Sequence, residues 1–486
     1  MKPHHHSALR IQPLSAFRLQ AFRLLAALTI AALQPRASAA TAADPSPQET
    51  PSWAQETREQ KEKRMAWWTN DRFGMFIHWG IYAVTARHEW IKQRERISDA
   101  DYQKYFDHFS PDMYDPKEWA AKAKAAGMKY VVLTSKHHDG FCLWDTKHTD
   151  YKVTNTPFKK DLIKPFVDAF RAEGIRIGFY YSLIDWHHPD FTIDRRYPNW
   201  AASPEKHKAA NATRDMNKYR QYIKNQVTEL LTQFGQIDLI WLDFSYPGEN
   251  GKGHQDWDSE ELLKLVRQLQ PNILVNNRLD LGHTDWGWDF VTPEQYMPRE
   301  WPTVNGRRVP WEACQTFSGS WGYSRDEYTW KSTRQLVAML IETTSKGGNL
   351  LLNVGPTARG VFDDRASERL DGLARWMKFH NRSIYGCTQA PEEFAVPQNC
   401  FLTYNPQTRR LYVHVIEWPF KTLHLPGYKG RVKYAQLLND ASEIKYRTHV
   451  QTGGNTNETS GTDDLMLALP VEHPNVAVPV IELFLE

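Results

Sequence analysis

In the stretch IDLIWLDFSYPG (237–248) a carboxylate, Asp243, stands between Leu242 and Phe244 at the end of an apolar run. A run of that kind, bounded by Gly235 and Pro247, reads as a core strand, where an unpaired charge costs several kcal/mol. Asp243 therefore needs neighbours that make its charge tolerable. Four other apolar runs end in suitable groups: His78-Trp79-Gly80, His137-His138-Asp139-Gly140, Tyr180-Tyr181-Ser182 and Asn276-Asn277-Arg278. A lone Asp at a strand end is more often a helix cap or loop anchor, whereas five polar strand ends in one chain point to a shared site. Imidazole and guanidinium groups bond ring hydroxyls and aromatic faces cover apolar edges, so this set suits a small polyhydroxylated ligand. Cleaving a glycosidic bond then takes two carboxyl groups, one at the anomeric carbon and one that protonates the departing oxygen.

Metal chemistry fits less well. His137 and His138 are adjacent, and neighbours on an extended strand point to opposite faces. FIHWG offers one His rather than HxH, and Lys92 stands where His88-Glu89 would need a second His. The four cysteines, Cys142, Cys314, Cys387 and Cys400, form no CxxC pair; they read either as buried free thiols or with Cys387 bonded to Cys400. No metal and no cofactor are expected.

The elements that must position these groups alternate in type. FGMFIHWG, KYVVLTSK, IRIGFYYS, IDLIWLDF and NILVNNRL read as strands, with helices over 115–127, 162–174, 213–234 and 258–270 between them. WDFVTPE (288–294) and WEACQTF (311–317) occupy the next positions less regularly, before the helix TRQLVAMLIETTSKGG, the strand NLLLNVGP and a last helix over about 366–384. Seven or eight such units predict a (β/α)₈-like, TIM-type but imperfect barrel, whose active face lies at the strand C-termini. After about residue 390, short alternating segments with Gly- and Asn-rich turns predict a small all-β sandwich.

Three arginines, a ten-residue apolar stretch (24–33) and Ala37-Ser38-Ala39 read as a cleaved export signal, too short to span a bilayer. The predicted organisation is a signal peptide over 1–39, a linker over 40–59, a catalytic barrel over 60–390 and a β-sandwich over 391–486, in a periplasmic or secreted protein without a membrane span. The signal carries five basic and no acidic residues, so its removal takes the formal charge from +3 to −2, and nucleic acid is a poor partner. Of the 19 tryptophans, some would stack on sugar and most would pack the core.

The motifs WWTNDRFGMFIHWG, HEW, LTSKHHDGFCLWDT, GFYYSLIDWHHP, LIWLDFSYPG, NNRLD, DFVTPEQYMP, PWEACQTFSGSWGY and SKGGNLLLNVGP, in this order over about 60–390, resemble the retaining α-L-fucosidases of glycoside hydrolase family 29. The resemblance implies a barrel followed by a β-sandwich, and an exo-acting enzyme that releases terminal α-L-fucose from fucosylated glycans. It implies Asp243 as nucleophile and His78, Glu89, Trp90, His137, His138, Tyr180, Trp241 and Arg278 as the fucose-binding shell, with Tyr181 an alternative to Tyr180. Trp321 matches an aromatic near the fucose methyl group. Glu294 is the acid/base candidate, with Glu312 as alternative. A catalytically silent fucose-binding protein and a hydrolase of a related sugar such as α-L-galactose are the rival readings.

Overall fold

The computed structural model describes residues 50–448 and 463–486; the expected export signal and half of the expected linker lie outside the described residues. The chain enters through a 3₁₀ turn, Ser52–Ala54, and a helix, α1 (Arg58–Asp71), opened by a capping box in which Thr57 and Gln60 bond each other's backbone. Five parallel strands follow: β1 (Phe73–Ile77), β2 (Tyr130–Lys136), β3 (Arg176–Ser182), β4 (Leu239–Asp243) and β5 (Leu274–Val275). Two more, β6 (Glu312–Thr316) and β7 (Asn349–Val354), complete a curled sheet of order β5-β4-β3-β2-β1-β7-β6.

The gap between edge strands β5 and β6 is spanned by the stretch expected as the sixth strand. It forms isolated parallel bridges, Asn276 to Phe290, Val291 to Trp311 and Glu294 to Cys314, but no continuous ladder. Pro293 has no N–H to give, and Thr292 turns its hydroxyl to Asn277 and Arg278. The other irregular stretch is a correction to the sequence reading: residues 312–316 are a regular strand paired in register with β7. Its polar residues Glu312, Gln315 and Thr316 are buried, which breaks the apolar pattern that marks the other strands.

Alternation along β1 shows how the barrel is built. Met75 and Ile77 join the core beneath the outer helices, while Phe76 points inward with Tyr130, Val132, Tyr180 and Trp241. At least eight tryptophans are fully buried, so indole is here chiefly packing material. The helices fall within a few residues of expectation, at Pro116–Ala125, Ile163–Ala172, Met216–Thr232, Ser259–Leu269, Thr333–Ser345 and Asp364–His380.

From residue 388 the chain makes a five-stranded antiparallel sheet and a three-stranded one, with Leu402, Leu411, Val413, Leu425, Leu467 and Leu483 in a core of their own. Helix Asp364–His380 meets this region where the Trp376 indole donates to Val478 O at 2.8 Å. All four cysteines are free and buried, Cys387 and Cys400 included. Among the described residues, no helix is long and apolar enough to cross a membrane.

Candidate active site

Parallel register levels the strand ends, setting Tyr180 beside Trp241 and Ser182 beside Asp243. Asp243 is 6% exposed, and two donors make its charge tolerable: the Tyr180 hydroxyl to Oδ2 at 2.8 Å and Arg278 Nη1 to Oδ1 at 3.0 Å. Burial raises its pKa, Arg278 opposes this, and the net shift is upward. Each oxygen is left with lone-pair capacity. Tyr180, rather than Tyr181, belongs to the site; Tyr181 faces outward and donates to Gln226 Oε1 at 2.8 Å.

The same guanidinium reaches a second carboxylate, with Arg278 Nη2 2.7 Å from Glu294 Oε2. Arg278 is itself fixed by Nε donating to Thr292 Oγ1 at 3.0 Å and by lying over the Trp241 ring at 4.4 Å. Glu294 is open to solvent, its side chain 42% exposed. Glu312 is the opposite. It is fully buried inside the barrel, and Trp241 Nε1, Trp68 Nε1 and the Tyr130 hydroxyl donate to it at 3.1, 3.3 and 2.6 Å. With neutral donors alone, burial pushes its pKa up to about 7.

The histidines supply acceptors. Asn353 gives its Nδ2 to Trp321 O at 2.7 Å, so its Oδ1 must accept the 2.6 Å bond from His78 Nδ1–H. Ser182 gives its proton to Ile184 O, so it accepts from His138 Nδ1–H at 2.7 Å. Burial drives the pKa of His78 down to about 3 and that of His137 and His138 well below normal, so these rings are neutral and Nε2 of His78 and His138 carries a lone pair. The expectation that His137 and His138 face opposite ways is corrected: β2 ends at Lys136, and in the turn beyond it the two rings lie 4.1 Å apart. No group of three or more His, Cys, Asp or Glu among the described residues could hold a metal ion.

Glu89 and Trp90 close the other side. Glu89 Oε2 accepts from Gly322 N at 2.9 Å, Oε1 is buried without a hydrogen bond because the His88 Nδ1 3.2 Å away itself accepts from Trp90 N, and burial raises the Glu89 pKa to about 7. His137 Nδ1 is likewise buried and unpartnered. Trp90 packs edge-on to His138 at 4.8 Å, and Trp321 lies over His78 at 5.0 Å. A left-handed residue adjoins each carboxylate: His88 (φ 136°) before Glu89, Phe244 (φ 100°) after Asp243 and Gln295 (φ 59°) after Glu294. Three such bends are backbone strain concentrated at one place.

All the predicted site residues thus gather at one end of the barrel, except that Glu312 lies beneath it, within the barrel. A model of the α-L-fucosidase family matches residues 38–382. The chain belongs to that family. Among similar proteins, plasma α-L-fucosidase of Rattus norvegicus is 29% identical over 85% of this chain and 88% of its own, and tissue α-L-fucosidase of Homo sapiens is 27% identical over 85% and 86%. The solved α-L-fucosidase isoenzyme 1 of Paenibacillus thiaminolyticus is 44% identical, with TM-score 0.80 over 88% of this chain and 99% of that one. A family 29 α-L-fucosidase of Bacteroides thetaiotaomicron, solved as a covalent intermediate trapped with 2-fluoro-fucosyl fluoride in a Glu-to-Gln variant, is 26% identical with TM-score 0.73 over 89% and 97%.

Two residues of this fucosidase-family site escaped the sequence reading, Asn353 and Thr292, which fix His78 and Arg278; Ser182, read there only as part of a polar strand end, fixes His138. Asn353 and Ser182 lie at the C-terminal ends of strands, where polar side chains are the available signal.

Proposed function

We propose that this chain is an exported α-L-fucosidase, periplasmic or secreted, that removes terminal α-L-fucose from fucosylated glycans with net retention. An Asp243 oxygen attacks the anomeric carbon as its bond to the leaving oxygen breaks, and the Glu294 carboxyl proton passes to that oxygen. Glu294 then takes a proton from water, whose oxygen bonds the anomeric carbon as the ester to Asp243 breaks. Neutral His78 and His138 accept from sugar hydroxyls, and Glu89, His137, Trp90 and Trp321 complete the shell.

The observation that carries this reading is the sharing of Arg278 by a buried and an open carboxylate. The open one can meet both aglycone and water, which favours Glu294 over Glu312, sealed among indoles and a phenol. In the free enzyme Arg278 holds Glu294, and a glycosidic oxygen entering the site replaces that partner. Export rests on the basic, apolar and small-residue pattern of residues 1–39.

Azide rescue tests the assignment. On an aryl fucoside with an acidic phenol, Glu294→Ala should accumulate fucosyl-enzyme and yield fucosyl azide of retained configuration, while Asp243→Gly should yield any azide product inverted. Retained azide from Glu312→Ala instead would transfer the acid/base role to Glu312.

A further inference from the structure

At the N-terminal end of the barrel, away from Asp243, lies a cavity of about 780 Å³. That is within the roughly 300–1,000 Å³ typical of small-ligand sites. Its walls are the entry turn, α1, the starts of β3 and β4 and the chain on both sides of β5. The site described above uses none of these residues.

Three half-buried indoles, Trp53, Trp67 and Trp286, line it. Trp53 meets Trp286 edge to face at 5.4 Å, and Trp67 is steadied by Tyr130 at 5.8 Å and by the Arg176 guanidinium 4.6 Å over its ring. The aromatic walls are therefore set before any ligand arrives.

Most of the charged groups between them are already matched, the exposed Lys63 and Asp285, of opposite sign, being the others. Arg64 holds Glu56 and Asp289 at 2.7 Å each, Arg267 holds Asp289 at 2.8 Å, and Arg176 holds Asp238 at 2.9 Å. A phosphate or carboxylate entering here would meet guanidinium groups whose charge is already compensated. What remains is a set of planar donors and acceptors in fixed directions beside indole faces, the surroundings that suit the hydroxyls and C–H faces of a sugar. A separate observation points the same way: the Trp286 indole N–H has no hydrogen-bond partner and is shielded from solvent in the free chain, and a turn of this half-buried ring on sugar binding would give it a ligand hydroxyl.

We propose that this cavity is a second, non-catalytic site for a neutral oligosaccharide. Asp238 in its wall immediately precedes β4 and Asp243 in the active site ends it, about 17 Å away at roughly 3.3 Å per residue. A sugar bound here is out of reach of the reacting groups. It tethers the enzyme to a fucose-free part of its glycan or to a neighbouring chain, raising the local concentration of cleavable ends. The proposal does not depend on the roles given to Asp243 and Glu294.

The test is calorimetry and affinity electrophoresis on the mature chain with fucose-free probes, namely lacto-N-tetraose, xyloglucan heptasaccharide, cellohexaose and mannohexaose, while a fucose-mimicking iminocyclitol saturates the active site. At least one probe should bind saturably at one site per chain. Trp53→Ala should weaken it at least about tenfold, and Trp286→Phe, which keeps the aromatic face but loses the N–H, about threefold or more. Aryl-fucoside kcat/KM should stay within about twofold in both variants. Asn272→Trp adds bulk at an exposed lining position while leaving the three indoles in the chain, and should also abolish binding, which covers the case of Trp53→Ala failing to fold. Absence of binding by all four probes, or binding that survives both Asn272→Trp and Trp286→Phe, overturns the proposal.

Discussion

The two ends of the barrel each bury a carboxylate, and they treat it differently. At the N-terminal end Asp289 takes hydrogen bonds from Arg64 at 2.7 and 3.1 Å, Arg267 at 2.8 Å and the Val275 N–H at 2.8 Å, with Lys61 Nζ a further 4.0 Å away. Burial alone would raise its pKa, but these cations hold it well below the ordinary carboxylate range. Asp243 at the other end has one guanidinium and one phenol, and its pKa goes up instead. A carboxylate saturated with cations is locked as a structural joint; one left short of donors keeps lone pairs and reactivity. The first ties α1 to the chain around β5, and the second faces the cluster of histidines and indoles.

Exchanging the roles experimentally should give opposite phenotypes. Asp243→Asn should lower kcat on an aryl fucoside by roughly 10³-fold or more while leaving the thermal midpoint close to that of the unaltered chain. Asp289→Asn should do the reverse. It leaves two guanidiniums and an ammonium without their shared counter-charge, a loss of about 3–5 kcal/mol in unfolding free energy, with kcat/KM of the folded protein within about twofold. If Asp289→Asn cost activity without stability, the contrast between the two ends would be wrong.

Glu312, between the ends and bonded by neutral donors alone, should show a smaller effect that is visible only in pH dependence. Its carboxyl is raised by burial from 4.5 to about 7, so between these values the folded chain holds a proton that the unfolded chain has released. Its contribution to stability is complete below the unfolded pKa and is lost as pH rises through about 7. The thermal midpoint of the unaltered chain minus that of Glu312→Gln should therefore fall between about pH 4.5 and 7 and level off above. A difference that rises with pH would mean that Glu312 is ionised in the fold.

Much of this was readable from residue order, because every sheet strand but Glu312–Thr316 is a mainly apolar run whose last residues face the active end. Asp243, His78 and Arg278 could be placed by that rule alone. What resisted reading had physical causes. The segment over 312–316 looked irregular because Glu312 is a polar residue satisfied by indoles and a phenol from three distant segments. Helix α1 carries so many charges that only Met65 and Trp68 are buried, and its one local signal was the Thr57/Gln60 box. The orientation of His137 and His138 depended on where β2 ends, and the choice of Tyr180 over Tyr181 on its register with Trp241. The two acid/base candidates, Glu294 and Glu312, differ in exposure, which composition does not encode.

The central claim is that the under-satisfied carboxylate, Asp243, forms the bond to the sugar. Its most direct test is to incubate the protein with 2-fluoro-fucosyl fluoride and map the covalent label by intact-mass and peptide mass spectrometry. A mass increase of one 2-fluorofucosyl unit, located on Asp243 and absent from Asp243→Asn, is the predicted result; a label on Glu89, Glu294 or any other carboxylate would contradict it.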